Sequence, residues 1–368
     1  MLRYMSDSSS LKPVLLFIGS VNYGKDPLGG EEFKNRLLLP MLRRYFRVIL
    51  LDTAHWRNTP RTWFRMLWYS FLQPLPNRIL ISASSESTYR LLRLWHLRKA
   101  LLERSVYLVV GGYFPGAVAS GRFRAEVYRR LASILVQGSS LQTDLAKNGL
   151  SRNVGVVSNF KPMVPAFGDS GRFNEIPPLR CVVLTRISKD KGIPYLFQAM
   201  ELLGDAPIQI DLFGPIDDAF RREFNTSLLK DSRFQYQGYL DLLNHPEESY
   251  KKLSTYHVLL FPTQWVGEGF PGVVLDAYLA GLPVIATDWN MNSEVVIPGE
   301  TGWLISPGNP QALADAMMTA VSSPPKLAEF SKNSREKASL YDVKRIFIEK
   351  LLPILFPDAM ATSCEMNG

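Results

Sequence analysis

At 368 residues the chain is longer than one ordinary core fills and long enough for two domains. Its 46% hydrophobic and 21% charged residues are close to the average for soluble globular proteins, and no run approaches the roughly 18 to 20 apolar residues that cross a bilayer. The net charge of +8 is uneven: residues 1–170 carry 24 Lys/Arg and 10 Asp/Glu, a surplus of +14, whereas the remainder is at −6.

A basic first half favours anionic partners such as phosphorylated substrates or an anionic membrane surface. Nucleic acid is not expected, because no zinc-finger spacing or RNP-like aromatic motif accompanies the charge. The opening MLRYMSDSSSLKP has no apolar h-region, so a secretory signal is not expected. Cys181 lies in an apolar run and Cys364 in a polar tail, which argues against a disulfide and for a reducing cytoplasm.

Along the chain, short apolar runs alternate with longer amphipathic segments, the pattern of βα units and parallel sheets. VLLFIG (14–19), RVILLD (47–52), RILISA (78–83), VYLVVG (106–111), SILVQG (133–138) and GVVSNF (155–160) read as buried strands. The loop after the first, GSVNYGKDPLGGEEF (19–33), holds Gly29-Gly30 just before a helix rich in Leu and Arg. Paired glycines there permit close backbone approach to a bulky or anionic ligand, although an ordinary turn reads the same way. The loop is neither a G-x-G-x-x-G nor a Walker loop.

WRNTPRTWFRMLWYSFLQPLP (56–76) places Trp63, Phe64, Leu67, Trp68 and Phe71 near helical spacing beside Arg57, Arg61 and Arg65. Such a stripe usually packs a helix on its sheet; the rival reading is an interfacial helix on anionic lipid. RLLRLWHLRKALLER (90–104) is similar in character, and two such segments make a lipid-linked acceptor reasonable. SSLQTDLAKNG reads as a capped helix stopped by Gly149, and KPMVPAFGDSGRFNEIPP (161–178) is the best linker candidate.

A second series follows: LRCVVLTR (179–186), IQIDLFG (208–214), FQYQGYL (234–240), VLLFPT (258–263), PVIATD (283–288) and GWLISP (302–307), with helices near 192–203, 246–254, 271–281 and 309–321. Two doubly wound halves usually hold their ligand in the cleft between them, beyond the carboxyl ends of the strands. No repeat of solenoid period is visible. The last ten residues are expected to fray.

Two loops of this second half can carry chemistry. TRISKDKGI (185–193) places Arg186 and Lys191 on one loop after a strand, where a guanidinium and an ammonium could neutralise a departing diphosphate. A solvated basic loop is the plainer alternative. GEGFPGVVLD (267–276) sets Glu268 in a loop and Asp276 in the helix that Pro271 can open. Carboxylates at such a helix mouth suit sugar hydroxyls, although two solvated acids at a helix start would look the same.

Together, TRISKDKGIPYLFQAME, FPTQWVGEGFPGVVLDAYLAGLPVIATD and EVVIPGETGWLISPGNPQALADAM resemble the retaining GT-B glycosyltransferases of glycosyltransferase family 4, in that family's order and approximate spacing. The resemblance covers roughly residues 135–325 well and the first 130 only in outline. It implies an α/β GT-B architecture of two Rossmann-like doubly wound domains facing across a cleft. An acceptor-side domain would span 1–165 and a nucleotide-sugar domain 175–335, with residues 336–368 crossing back and then fraying.

It further implies that Arg186 and Lys191 bind the donor diphosphate and that Glu268 contacts the transferred sugar. Gly269, Phe270 and Pro271 would supply backbone contacts, Asp276 would hold the ribose hydroxyls, and Gly238 and Tyr239 would lie near the base. Gly29 and Gly30 would close over the phosphates. No cofactor is expected beyond a UDP- or GDP-linked donor substrate, and no D-x-D metal motif is present; Asp217-Asp218 reads as a helix cap. The partners implied are that donor, a sugar or lipid-linked acceptor, and an anionic membrane at the cytoplasmic face.

Two departures stand out. Asp276 is one methylene shorter than the usual Glu, and the strand end VVGGYFPG (109–116) lacks the histidine that many members place near the reacting centre; His55 and His96 lie elsewhere. No general base is named, and front-face retention needs none. A nucleotide-sugar-binding protein without transferase activity, a GT-B-like nucleotide-sugar epimerase and a lipid-surface scaffold are the alternatives.

Overall fold

A computed structural model describes residues 12–23, 29–54, 60–167 and 171–357. Twelve strands form two sheets of six, and every strand pair is parallel. The first holds β1 (Val14–Gly19), β2 (Arg47–Asp52), β3 (Arg78–Ser82), β4 (Ser105–Leu108), β5 (Ser133–Val136) and β6 (Val154–Val156) in the order 2-1-3-4-5-6. The second holds β7 (Leu179–Leu184), β8 (Ile208–Phe213), β9 (Phe234–Gly238), β10 (Val258–Phe261), β11 (Val284–Thr287) and β12 (Gly302–Ile305) in the order 12-11-10-7-8-9.

The central runs form strands because they are apolar on both faces, whereas at the sheet edge β9 (FQYQG) buries only Phe234. In β1, Leu15 and Phe17 enter one cluster with Leu38 and Leu42, while Leu16 and Ile18 point the other way into a cluster with Ile79 and Ile81. That second cluster continues into the other half through Phe270, Val274 and Met291, so the two sheets share apolar packing. The strand order reverses between β1 and β3 in one sheet and between β7 and β10 in the other. At each reversal the crossover helices leave to opposite faces and open a crevice at the strands' carboxyl ends.

The segment joining the halves carries Lys161, whose N–H bonds Tyr341 O at 3.0 Å and whose C=O accepts Val343 N–H at 2.9 Å. The chain thus runs back beside its own linker. Val343, Ile346, Phe347, Leu351 and Leu355 then enter the cluster of Leu15, Phe17 and Leu38 in the first half.

The basic aromatic segment forms a helix, Pro60–Leu67, ending in a wider turn, Trp68–Leu72; residues 55–59, including His55 and Arg57, lie outside the described residues. Among its described side chains Met66 and Ser70 are buried, with Ser70 Oγ accepting Trp95 Nε1–H at 2.8 Å. Phe64, Leu67, Trp68, Phe71 and Leu72 are exposed. The second segment behaves oppositely: Leu91, Leu92, Trp95, Leu101 and Leu102 are core, which removes an interfacial reading for that face. No helix among the described residues is long and apolar enough to cross a membrane.

Candidate active site

The loops after β7 and β10, the two strands flanking the second reversal, cross each other tightly. Gly192 has φ +78°, and a Cβ there would fall 1.9 Å from Pro262 O. Only glycine fits both the left-handed backbone and that approach. The crossing brings Lys191 of the first loop onto Glu268 of the second: Lys191 Nζ lies 2.5 Å from Glu268 Oε2, and both residues are buried. Thr263 Oγ1 donates to the same oxygen at 2.9 Å, so both bonds fall on Oε2 and Oε1 takes neither.

Arg186 is exposed on the same loop and bonds Asp190 at 3.3 Å. Its guanidinium carbon is 5.9 Å from the centre of the Trp265 ring, which Lys191 Nζ approaches to 4.4 Å. Arg186, Lys191 and Glu268 are therefore gathered around one indole. A buried carboxylate with a bonded ammonium satisfies both charges without water, and the second cation stands at the open side.

The first half presses on this loop. Gly112 N–H donates to Gly267 O at 3.3 Å, and a Cβ on Gly112 would sit 2.2 Å from Glu268 O. Gln137 Oε1 accepts Phe270 N–H at 3.2 Å, and a Cβ on Gly269 would strike Gly111 Cα at 2.8 Å. Gly269, Phe270 and Pro271 are buried here, and Pro271 stands at the N-cap of the helix Gly272–Leu279.

Asp276 is placed differently from the expectation. It is buried, with Lys161 Nζ 2.8 Å from either carboxylate oxygen and the Tyr250 hydroxyl donating to Oδ1 at 2.6 Å. Burial and the adjacent Asp276 hold the Tyr250 phenol well above its ordinary pKa, so it stays a donor. Lys161 Nζ also lies 3.9 Å from the centre of the Phe33 ring in the first half. Asp276 thus joins a buried ion pair across the junction of the two halves.

Gly29 and Gly30 stand exposed at the start of the helix Gly30–Tyr45. A Cβ at either would meet nothing within 4 Å, so the described fold does not itself demand glycine there. Glu31 and Lys34, on the next turn, were not foreseen. Burial pushes the Glu31 carboxyl up to about 7 and the Lys34 ammonium down to about 8. Gly238, at φ +79°, and exposed Tyr239 end β9 at the edge of the second sheet, two strands from β7. Asp217 Oδ1 accepts Ala219 N–H at 3.0 Å, just before the helix Arg221–Leu228.

Residues 175–337 match the family model described as glycosyl transferases group 1. The capsular polysaccharide biosynthesis glycosyltransferase CapM of Staphylococcus aureus is 26% identical over 167 residues, 45% of this chain and 43% of that protein. Matches to the curated relatives span less than half of each relative's length. Anabaena HepE, solved in complex with UDP-glucose, superposes with a TM-score of 0.70 at 17% identity, over 92% of this chain and 98% of that one. Sucrose-phosphate synthase from Thermosynechococcus elongatus does so with a TM-score of 0.73, also at 17% identity, over 95% and 100%. Residues 175–337 are therefore similar to the glycosyl transferases group 1, and the chain as a whole has a two-sheet GT-B fold.

Proposed function

We propose that the protein is a retaining, metal-independent glycosyltransferase that moves a sugar from a nucleoside-diphosphate donor onto an acceptor in surface-polysaccharide or glycolipid assembly. The reading is supported above all by the buried Lys191–Glu268 pair with Arg186 beside it at the β7/β10 reversal. The two cations receive the diphosphate, and Glu268 Oε1 accepts a hydroxyl of the transferred sugar. Their catalytic contribution grows as the bond between the anomeric carbon and the phosphate oxygen breaks and charge collects on the leaving group. The acceptor oxygen attacks from the same face, and its proton passes to the departing phosphate oxygen. No protein base is then required.

Within this proposal Asp276 accepts a ribose hydroxyl alongside its bonds to Lys161 and Tyr250; Gly238 and Tyr239 lie near the base, and Gly29 and Gly30 beside the phosphates. A UDP-sugar is the first donor to test, since the fold neighbour HepE was solved with UDP-glucose. The exposed stripe of Phe64, Trp68 and Phe71, on the half with a +14 surplus, supports peripheral contact with an anionic membrane and a lipid-linked acceptor at the cytoplasmic face.

A thermal-shift panel of UDP- and GDP-sugars, followed by donor turnover with mixed acceptors in the presence and absence of EDTA, tests the reaction. Binding with turnover insensitive to chelation is expected. Binding without any transfer or hydrolysis would instead favour a nucleotide-sugar-binding protein.

A further inference from the structure

We infer that Trp265 is a positioning residue that holds the two diphosphate-binding cations, Arg186 and Lys191, at one fixed separation. The inference rests on the donor site proposed above. Lys191 Nζ stands 4.4 Å from the Trp265 ring centre and 5.9 Å from that of Phe261, so its ammonium is enclosed by two aromatic faces and the Glu268 carboxylate. Arg186 meets the same indole at 5.9 Å. A cation over an aromatic face is attracted by the ring's quadrupole, and more so where water is excluded.

The Trp265 backbone is itself held firmly. Trp265 O accepts Glu268 N–H at 3.0 Å and Trp289 Nε1–H at 2.9 Å, and Trp265 N–H donates to Thr263 Oγ1 at 3.3 Å. Gly267 lies against the ring, since a Cβ there would come within 2.7 Å of Trp265 Cζ2. Yet the residue is 37% exposed, an unusual position for a tryptophan with no apolar core to fill. An aromatic surface fixed by its backbone and shared by two cations serves to aim them. Among the described residues, the other partner of Arg186 is Asp190, an exposed contact at 3.3 Å.

Titration calorimetry of the full chain with inorganic pyrophosphate, UDP and GDP, set against UMP and GMP, tests the assignment. Trp265→Leu should weaken pyrophosphate and the bound diphosphate by about tenfold while leaving the monophosphate within about twofold; Trp265→Phe should restore most of the loss. Gly267→Ala, which pushes a methyl into the indole, should reproduce the same selective loss with the tryptophan retained. Wild-type diphosphate affinity in Trp265→Leu, or equal loss of mono- and diphosphate, would overturn the inference while leaving the donor site standing. Absence of any diphosphate binding in the wild type would remove both.

Discussion

Glu294 of the second half caps the helix Ser139–Lys147 of the first, its Oε2 accepting Ser139 N–H at 2.8 Å and Ser139 Oγ–H at 2.9 Å. Its other oxygen takes the backbone N–H of Ser140 at 2.9 Å and the Ser140 hydroxyl. The helix has no cap of its own, because Gly138 occupies that position and has no side chain to offer. A Cβ on Gly138 would also collide with Met291 and Glu294. The capping group has come from 155 residues away, and it bridges the two halves.

Glu294→Ala should therefore cost about 1 kcal/mol, the usual loss for a helix cap, and should also favour separation of the halves. Small-angle scattering should show a larger radius of gyration in the variant. Superimposable curves would mean that this contact does not hold the halves together. Burial alone would raise the Glu294 carboxyl, but the donors of Ser140 and Ser139 outweigh it and hold the group below its ordinary value of 4.5. For a depressed carboxylate, the stabilisation is present above that ordinary value and is lost as pH falls through the folded one. The closed form should thus persist at neutral pH and loosen in acid below pH 4.5.

Lys161 and Asp276 form a second link across the junction, and here both partners are buried. Removing one charge strands the other, so Lys161→Met should destabilise by about 3 to 5 kcal/mol in urea unfolding. Replacing both, as in Lys161→Met with Asp276→Leu, should recover most of that. If the single variant melts like the wild type, the pair contributes nothing to holding the fold.

At the donor site the two cations should respond differently. Arg186 is exposed, so Arg186→Ala should reduce turnover by about a hundredfold or more with little change in melting temperature. Lys191→Met should lower both, since it leaves Glu268 buried with only the Thr263 hydroxyl. Wild-type turnover in Arg186→Ala would count directly against the site.

The exposed aromatic stripe gives a separable prediction. Sedimentation with vesicles containing anionic lipid should fall about tenfold or more when Phe64, Trp68 and Phe71 are changed to Ser, because each ring forfeits its burial in the interface. Added salt should weaken the wild-type interaction as well, by screening the arginines. Donor binding should be unaffected.

Most strands were legible because a strand buried on both faces must be an unbroken apolar run; the edge strand β9, FQYQG, is not such a run. The carboxyl ends agree with the apolar runs for β1 and β2 but not for β6. The run GVVSNF reaches Phe160, whereas β6 ends at Val156, with Val157 N–H still donating to Val136 O of β5 at 2.8 Å. Arg186, Lys191 and Glu268 could be placed at loop positions from local sequence. The partners that define Asp276 and Glu294 could not, since Lys161 is 115 residues from one and Ser139 is 155 from the other. Helical spacing likewise revealed the stripe of Phe64, Trp68 and Phe71 but not its direction, which Met66 and Ser70 decide by anchoring the opposite side.

The return of residues 343–355 to the first half carries one more consequence. Phe347 and Leu351 complete the apolar layer over β1 although they follow the whole second sheet in sequence. The amino-terminal half emerging from a ribosome is an unfinished object, with a greasy face waiting for sequence nearly two hundred residues downstream. A first half cut at the linker alone would lack the layer that residues 343–355 supply, so any division of the chain must carry that segment along with it.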